Sequence, residues 1–398
     1  MNVARISAAL IFAAIFAHGQ GFTQRGFLDV STFAYPQAAP SDSGYFVSEA
    51  LLRYEAFYKL SPKVQVNGGL DFRTDTHRQT ARDLDFSWTG RQTLRPAFDV
   101  RRLSVTYSDG PLTIEAGKQF IRWGKADILN PTDRFAPKDF LNVVDTDFLG
   151  VTGTRVTIGK QADTIEFVWA PLFTPSRTPL ITQRWVVLPP GIPFTDGGAR
   201  YPGGSQFGAR WNHMGAVEYS LSFYDGHNHL PLYEPSLKLS RFYPQMRMYG
   251  GDVAIPLSMV TIKGESGYFT STTNQADEYL LYVIQLERQQ GEWSFTGGYA
   301  GELVTERRNI LNFAPDRGLS RAFLGRAGYT LDANRSIAFE AAIRQNGQGA
   351  YGKFEYSQAF GQHWRGTGGV ALVGGKDSDF LGQYHRNSHV MFGLRYSF

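Results

Sequence analysis

Three groups of residues in this chain of 398 have types that could do chemistry. His385, Asn387, Ser388 and His389 bring a hydroxyl and two imidazoles close together. A serine nucleophile needs a base within about 3 Å and a third group that orients that base. No spacing here supplies both, so polar residues facing water explain the group more simply, and no enzyme activity is expected. Asp225-Gly226-His227-Asn228-His229 and Asp377-Ser378-Asp379 place acidic and imidazole groups two apart, on one side of an extended chain. Neither has a third ligand at a defined spacing, so each reads as a loop turn, and neither a metal nor a cofactor is expected. The third group is charge. Residues 125–147 mix Lys125, Asp127, Asp133, Arg134, Lys138, Asp139, Asp145 and Asp147 with Pro131 and Pro137, just after Arg122. Such a loop either folds into an enclosed space and narrows it or stays in solvent, and the sequence leaves both open.

The elements that must position these residues are short and alternating. In 389–398, Val390, Phe392, Leu394, Tyr396 and Phe398 fall on one side, with His389, Met391, Gly393, Arg395 and Ser397 on the other, the pattern of a strand with one apolar face. Residues 49–59 set Ala50, Leu52, Tyr54, Ala56 and Tyr58 against Glu49, Arg53, Glu55 and Lys59, and in 64–73 Val64, Val66, Leu70 and Phe72 oppose Gln65, Asn67, Asp71 and Arg73. Trp293, Phe295 and Tyr299 oppose Ser294, Thr296 and Glu302; Ile337, Phe339 and Ile343 oppose Glu340 and Arg344. Charges opposite a purely apolar face imply a wet interior if the sheet closes with its apolar face outward. A soluble sandwich would bury the apolar face instead, and single strands do not separate the two.

The connections do. Short ones at 61–62, 108–110, 160–161, 213–215, 256–257, 290–291, 332–335 and 361–362 alternate with mostly longer ones at 35–44, 74–94, 122–150, 171–204, 225–240, 305–318 and 375–383. That asymmetry is the habit of barrels threaded through an outer membrane from the periplasm. The fold expected is all-β: one transmembrane antiparallel up-and-down barrel of about eighteen strands, sixteen being the alternative, with short periplasmic turns and long extracellular loops. Bulk properties agree. After residue 20 no apolar run is long enough for a membrane helix, while 43 Gly, 30 Phe, 20 Tyr and 7 Trp suit strands with aromatic girdles. With 40 Lys and Arg against 36 Asp and Glu, interleaved, no nucleic-acid partner is expected. Cysteine is absent, which excludes disulfides and thiolate metal sites. Arg5, the apolar run 6–16 and the small residues of Ala17-His18-Gly19 read as a signal peptide, 1–19, leaving 20–398 as the barrel and the cell outer membrane as the location.

Residues 112–134 are the most distinctive stretch. Leu112, Ile114 and Ala116 form a lipid-type face, with Glu115 and Gln119 toward the lumen. Lys118 falls on the lipid side by parity, so either the strand has reached the rim or Gly117 re-aims the chain. With Gly117-Lys118-Gln119 and Trp123-Gly124, Ala126-Asp127, Asn130-Pro131-Thr132-Asp133 and Ala170-Pro171-Leu172-Phe173-Thr174-Pro175-Ser176-Arg177, the sequence resembles a porin-like family of Gram-negative outer-membrane barrels that share G-[KR]-Q-x-x-x-W-G after a strand. The last strand resembles the closing strand of such barrels, which implies recognition by the barrel-assembly machinery. The resemblance implies a passive or semi-selective channel for small polar solutes seated in outer-membrane lipid, with homo-oligomers left open. The alternative is a component or docking platform of an export or surface-assembly system without an open pore. Candidate pore and constriction residues are Arg53, Glu115, Gln119, Arg122, Lys125, Asp127, Asp133, Arg134, Lys263, Glu265, Glu340 and Arg344. Because Asp127 and Asp133 sit among Arg122, Lys125 and Arg134, a folded-in loop would give a transverse field with mild anion preference.

Overall fold

The computed structural model describes residues 21–398 apart from 83–87, 128, 161, 189–191 and 309–314; the expected signal peptide lies outside the described residues. Eighteen long strands form one sheet: β1 (Phe22–Ala34), β2 (Phe46–Ser61), β3 (Val64–Asp75), β4 (Phe98–Asp109), β5 (Leu112–Gln119), β6 (Val151–Lys160), β7 (Asp163–Ala170), β8 (Gln206–His213), β9 (Glu218–His227), β10 (Gln245–Pro256), β11 (Thr261–Thr270), β12 (Glu278–Gln290), β13 (Trp293–Glu306), β14 (Ala322–Asp332), β15 (Arg335–Arg344), β16 (Gly349–Phe360), β17 (Trp364–Gly375) and β18 (His389–Ser397). Each pairs antiparallel with its sequence neighbour. The sheet closes when β18 returns to β1, in register from Phe27↔Ser397 to Ala34↔Val390, and Gly26 and Phe398 exchange backbone hydrogen bonds of 2.9 and 3.0 Å. Closure pairs both edge strands of the barrel sheet with each other.

The alternation sets the two faces as expected. Phe392 is 63% exposed and Leu394 49%, whereas His389 on the other parity is 6% exposed; Phe72, Leu103, Ile284, Phe323 and Phe339 are likewise exposed. An outward apolar belt with charges inside is stable where the surroundings are lipid. The eight turns expected to be short all fall at one end of the barrel; the other end carries the long connections together with two brief ones, 271–277 and 345–348, and the strand number is the expected eighteen.

Two irregularities re-aim side chains. The β3–β4 register slips between Gly69 and Leu70, so Arg101 and Arg102 both turn inward, Arg101 to Asp147 and Arg102 to Glu115. Gly117 has φ +123°, and Lys118 after it is buried and paired to Asp99 at 3.3 Å. The pairing runs through Gly117 without a slip on either neighbour, so it is backbone twist and not an extra residue that turns Lys118 from lipid to lumen. A Cβ on Gly117 would meet the Leu103 carbonyl oxygen and lie 2.8 Å from Ser104 Cα.

The interior is less wet than the wall charges suggest. Toward the long-loop end the lumen is filled by loop residues Ile121, Trp123, Phe135, Trp185 and Leu381, packed against Tyr224, Met248 and Phe269 of the inner wall. The strand pattern could not show this, because the apolar contribution comes from the loops.

Candidate constriction site in the lumen

The connection between β5 and β6, residues 120–150, folds into the barrel. What draws it there is a carboxylate on the inner wall. Glu265 of β11 is buried and accepts hydrogen bonds from the backbone N–H groups of Lys125 (3.1 Å), Ala126 (3.1 Å) and Thr132 (2.9 Å), and from the Thr132 hydroxyl (2.9 Å). A buried carboxylate is tolerable only when its lone pairs are met in this way. Gly124, with φ +88°, makes the approach feasible: a Cβ there would sit 2.5 Å from Glu265 Oε2.

Further contacts pin the same segment. Trp123 is buried between Phe135 and the wall, and its indole N–H donates to Glu166 of β7. Lys125 pairs with Glu218 of β9. Asp127 meets Lys263 of β11 (2.9 Å) and Gln285 of β12 (2.6 Å); its pKa is lowered to about 2 by the hydrogen bond with Glu287, despite partial burial and with help from Lys263 and Gln285. Asp133 accepts from Arg122 and from the Trp123 backbone N–H (3.0 Å). Burial pushes the Asp133 carboxyl up in spite of Arg122. The Arg122 guanidinium lies 3.6 Å over Phe148 and its side chain is 42% exposed, so with Asp127, 57% exposed, it faces the open passage.

The far end of the loop is tied to the opposite side of its own root. Asp147 lies among Arg53 (2.9 Å), Arg101 (2.9 Å) and Arg73 (3.3 Å). Burial would raise its pKa, but Arg101 and then Arg53 hold it well below the usual carboxylate range. Asp139 is treated alike by Arg95 and Arg177, against full burial. Arg53 and Arg73 also share Asp71, at 2.8 and 3.0 Å.

The sequence-selected residues thus separate into groups. Arg122, Lys125, Asp127, Asp133, Lys263 and Glu265 meet where the loop crosses to the β9–β12 wall, and Arg134 lies beside them with its guanidinium 5.0 Å from the Phe269 ring. Arg53 belongs to the Asp147 end. Glu115 is buried among Arg102 (2.7 Å), Ser104 (2.7 Å) and Arg155 (3.0 Å), and buried Gln119 donates to the carbonyls of Glu115 and Gly153; both stiffen the wall beneath the loop. Arg344 binds Asp379 (3.1 Å) and the carbonyls of Gly318 and Ser320 near the long-loop rim. Glu340 stands on the wall away from the β9–β12 contact, in register with Arg326 and Lys353 on its two neighbours.

Several participants escaped sequence reasoning. Glu166, Glu218 and Gln285 are ordinary inward residues of their strands, and only the loop's position gives them a role. Arg184, in the Pro-rich connection 171–205, is buried and reaches the far side of the mouth: it donates to Asn387 Oδ1 (3.0 Å) and to the carbonyls of Gly44 (2.7 Å), Gln37 (3.2 Å) and Arg386 (3.3 Å). Its guanidinium lies 3.7 Å over Tyr35. Asn387 and His389, considered above for catalysis, are an anchor for this strap and a ring packed on Phe33 and Tyr35. Among the described residues no group of three or more ligand-type side chains is placed to hold a metal.

Against solved structures the barrel aligns almost end to end. A BenF-like porin from Pseudomonas fluorescens Pf-5 superposes with a TM-score of 0.54 at 10% identity, over 95% of this chain and 98% of that one. Acinetobacter baumannii OccAB4 gives 0.54 at 11%, over 95% and 99%, and Pseudomonas aeruginosa OpdQ gives 0.51 at 10%, over 95% and 98%. The shared feature is the fold. No protein-family model matches the chain, and a search of curated proteins gives no match.

Proposed function

We propose that this protein is an outer-membrane porin: a passive or semi-selective channel for small solutes whose constriction is the folded-in loop 120–150. The observation that carries the reading is the loop's attachment through Glu265, which narrows a barrel that would otherwise be wide. The outward apolar belt, the inward charges and the shared porin fold support it. The long-loop end faces outside and the short turns face the periplasm, as threading requires. Arg122, Lys125, Asp127, Asp133, Arg134 and Lys263 form the charged eyelet around the loop, with Arg53, Glu115, Gln119, Glu265, Glu340 and Arg344 holding or facing it. In the sequence signature, Lys118 and Gln119 fix the loop's root, Trp123 and Gly124 its entry, and Thr132 and Asp133 its return, which supports reading G-[KR]-Q-x-x-x-W-G as the mark of a folded-in loop.

Purified protein in a planar bilayer tests the channel directly: ion conductance is expected, and a silent membrane rejects it. The Arg184 strap across the mouth favours one other reading, a closed platform for export or surface assembly, and the same recording separates the two. We further propose that 1–19 is removed as a signal peptide, so the outer-membrane form begins at Gln20; mass spectrometry finding Met1 intact would refute this. The closing strand is proposed as the segment read by the barrel-assembly machinery, which impaired insertion of a Phe398→Ala variant would show. Homo-oligomers are proposed only as an arrangement that cross-linking in native membranes can find or reject.

A further inference from the structure

Between the folded-in loop and the wall of β14–β16 lies a cavity of about 240 Å³. Its surface is mostly apolar: Leu129, Phe140, Val143 and Val144 come from the loop, with Leu324 and Ala342 on the wall. Polar side chains such as Asn130, Ser176 and Asn228 interrupt it, as do three phenols, of which Tyr224 has its hydroxyl against Gln206 Oε1 and the His227 carbonyl. Tyr351 of β16 is 7% exposed and Tyr384 of the 3-10 turn Gly382–Asn387 is 3% exposed, and both line the cavity. Tyr384 is held edge-on by Phe380 and tilted against Trp185, with ring centroids 5.8 and 5.6 Å away. A tyrosine hydroxyl can both donate and accept, so a phenol beside an apolar wall offers a polar contact to whatever enters. The formal charges lining the cavity cancel, Arg134 and Lys138 against Asp133 and Glu340, and the buried His229 has its pKa lowered by burial to about 4, which leaves it neutral at pH 7.

From this geometry we infer that the cavity is a binding station for uncharged amphipathic solutes: a single aromatic ring or short aliphatic chain bearing a hydroxyl or carbonyl group. The inference rests on the channel reading and names its solute class. The apolar walls take the ring or chain, and the Tyr351 and Tyr384 hydroxyls donate to, or accept from, its polar group. A sugar offers too little apolar surface for these walls. An anion gains little in a site whose charges cancel, and it would lose water to enter. Water alone can meet the hydroxyls in the empty channel, but it leaves the apolar walls wet, so an amphipathic solute displaces it favourably.

The test uses the full chain in detergent and 4-hydroxybenzyl alcohol as probe, with benzoate and glucose for comparison. Binding is read by saturation-transfer NMR, and KCl conductance is recorded separately, so a failed channel and an absent site are told apart. The alcohol is expected to bind more tightly than benzoate or glucose. Tyr351→Phe together with Tyr384→Phe, which keeps both rings, should weaken it about three- to tenfold, the range for losing neutral hydrogen bonds. Heat-modifiable migration verifies that the variant is folded, and each single variant should show part of the loss. Equal binding by wild type and the double variant, or benzoate binding as tightly as the alcohol, overturns the assignment.

Discussion

Arg122 and Asp133 show how one residue pair sets the field of a narrow passage. The pair spans the root and the return of the same loop, and only Arg122 of the two is substantially exposed. In a partly desolvated passage unit charges interact more strongly than the ~1 kcal/mol expected in bulk water at 4 Å. Arg122→Gln should therefore move the reversal potential toward cations under a salt gradient, and the shift should shrink in 1 M salt, where the Debye length is about 3 Å. An unchanged reversal potential would place selectivity elsewhere on the wall. The pair also predicts a pH response. Burial raises the Asp133 pKa, so as pH falls this carboxylate takes up a proton before an ordinary aspartate does. Arg122 then loses its counter-charge, and the channel becomes more anion-selective. Asp139 and Asp147, held low by their arginines, remain charged in that window. Asp133→Asn should mimic the acid state at neutral pH and abolish the part of the shift above the ordinary carboxylate range. A titration identical in wild type and variant would assign the response to another group.

At the scale of elements, the loop's attachment makes a prediction of its own. Glu265→Ala strips a buried acceptor from three backbone N–H groups and a hydroxyl, at about 1–3 kcal/mol for each donor left unpaired. The barrel strands do not depend on this cluster, so heat-modifiable migration should persist while conductance rises and open-channel noise grows. Wild-type conductance with wild-type noise would mean that the loop is held without Glu265. The sequence showed the strands but not this contact, and the reason is physical. Alternation and Gly- or Pro-marked turns are local, so eighteen strands and eight short turns were legible, including the inward side of Arg53, Glu115 and Arg344. Whether 125–147 enters the lumen depends on Glu265, Gln285 and Glu218, partners between 93 and 158 residues away in sequence. Nothing in their own strands marks them. Lys118 shows the limit of parity: a twist at Gly117, which only a glycine tolerates there, carried it from the lipid face to Asp99. The signature around Trp123 marked the right stretch, but its job became visible only with the wall opposite.

The whole molecule joins a closed barrel that suits lipid on its outside to a lumen narrowed from one wall and crossed at its mouth by the Arg184 strap. The composition pointed to this architecture, while the filling of the outer lumen by Trp123, Phe135, Trp185 and Tyr384 did not follow from it, since aromatic counts do not distinguish girdle from plug. A path that stays open past that filling is what makes the barrel a channel, and one recording decides it. Reconstituted at low protein concentration in a planar bilayer in 1 M KCl, the full chain is predicted to insert in discrete steps of steady, ohmic conductance. In Arg184→Ala the steps should be larger, because the strap loses its four acceptors across the mouth. Folded protein that inserts yet gives no steps, in wild type and Arg184→Ala alike, would contradict the channel and leave the barrel as a closed platform.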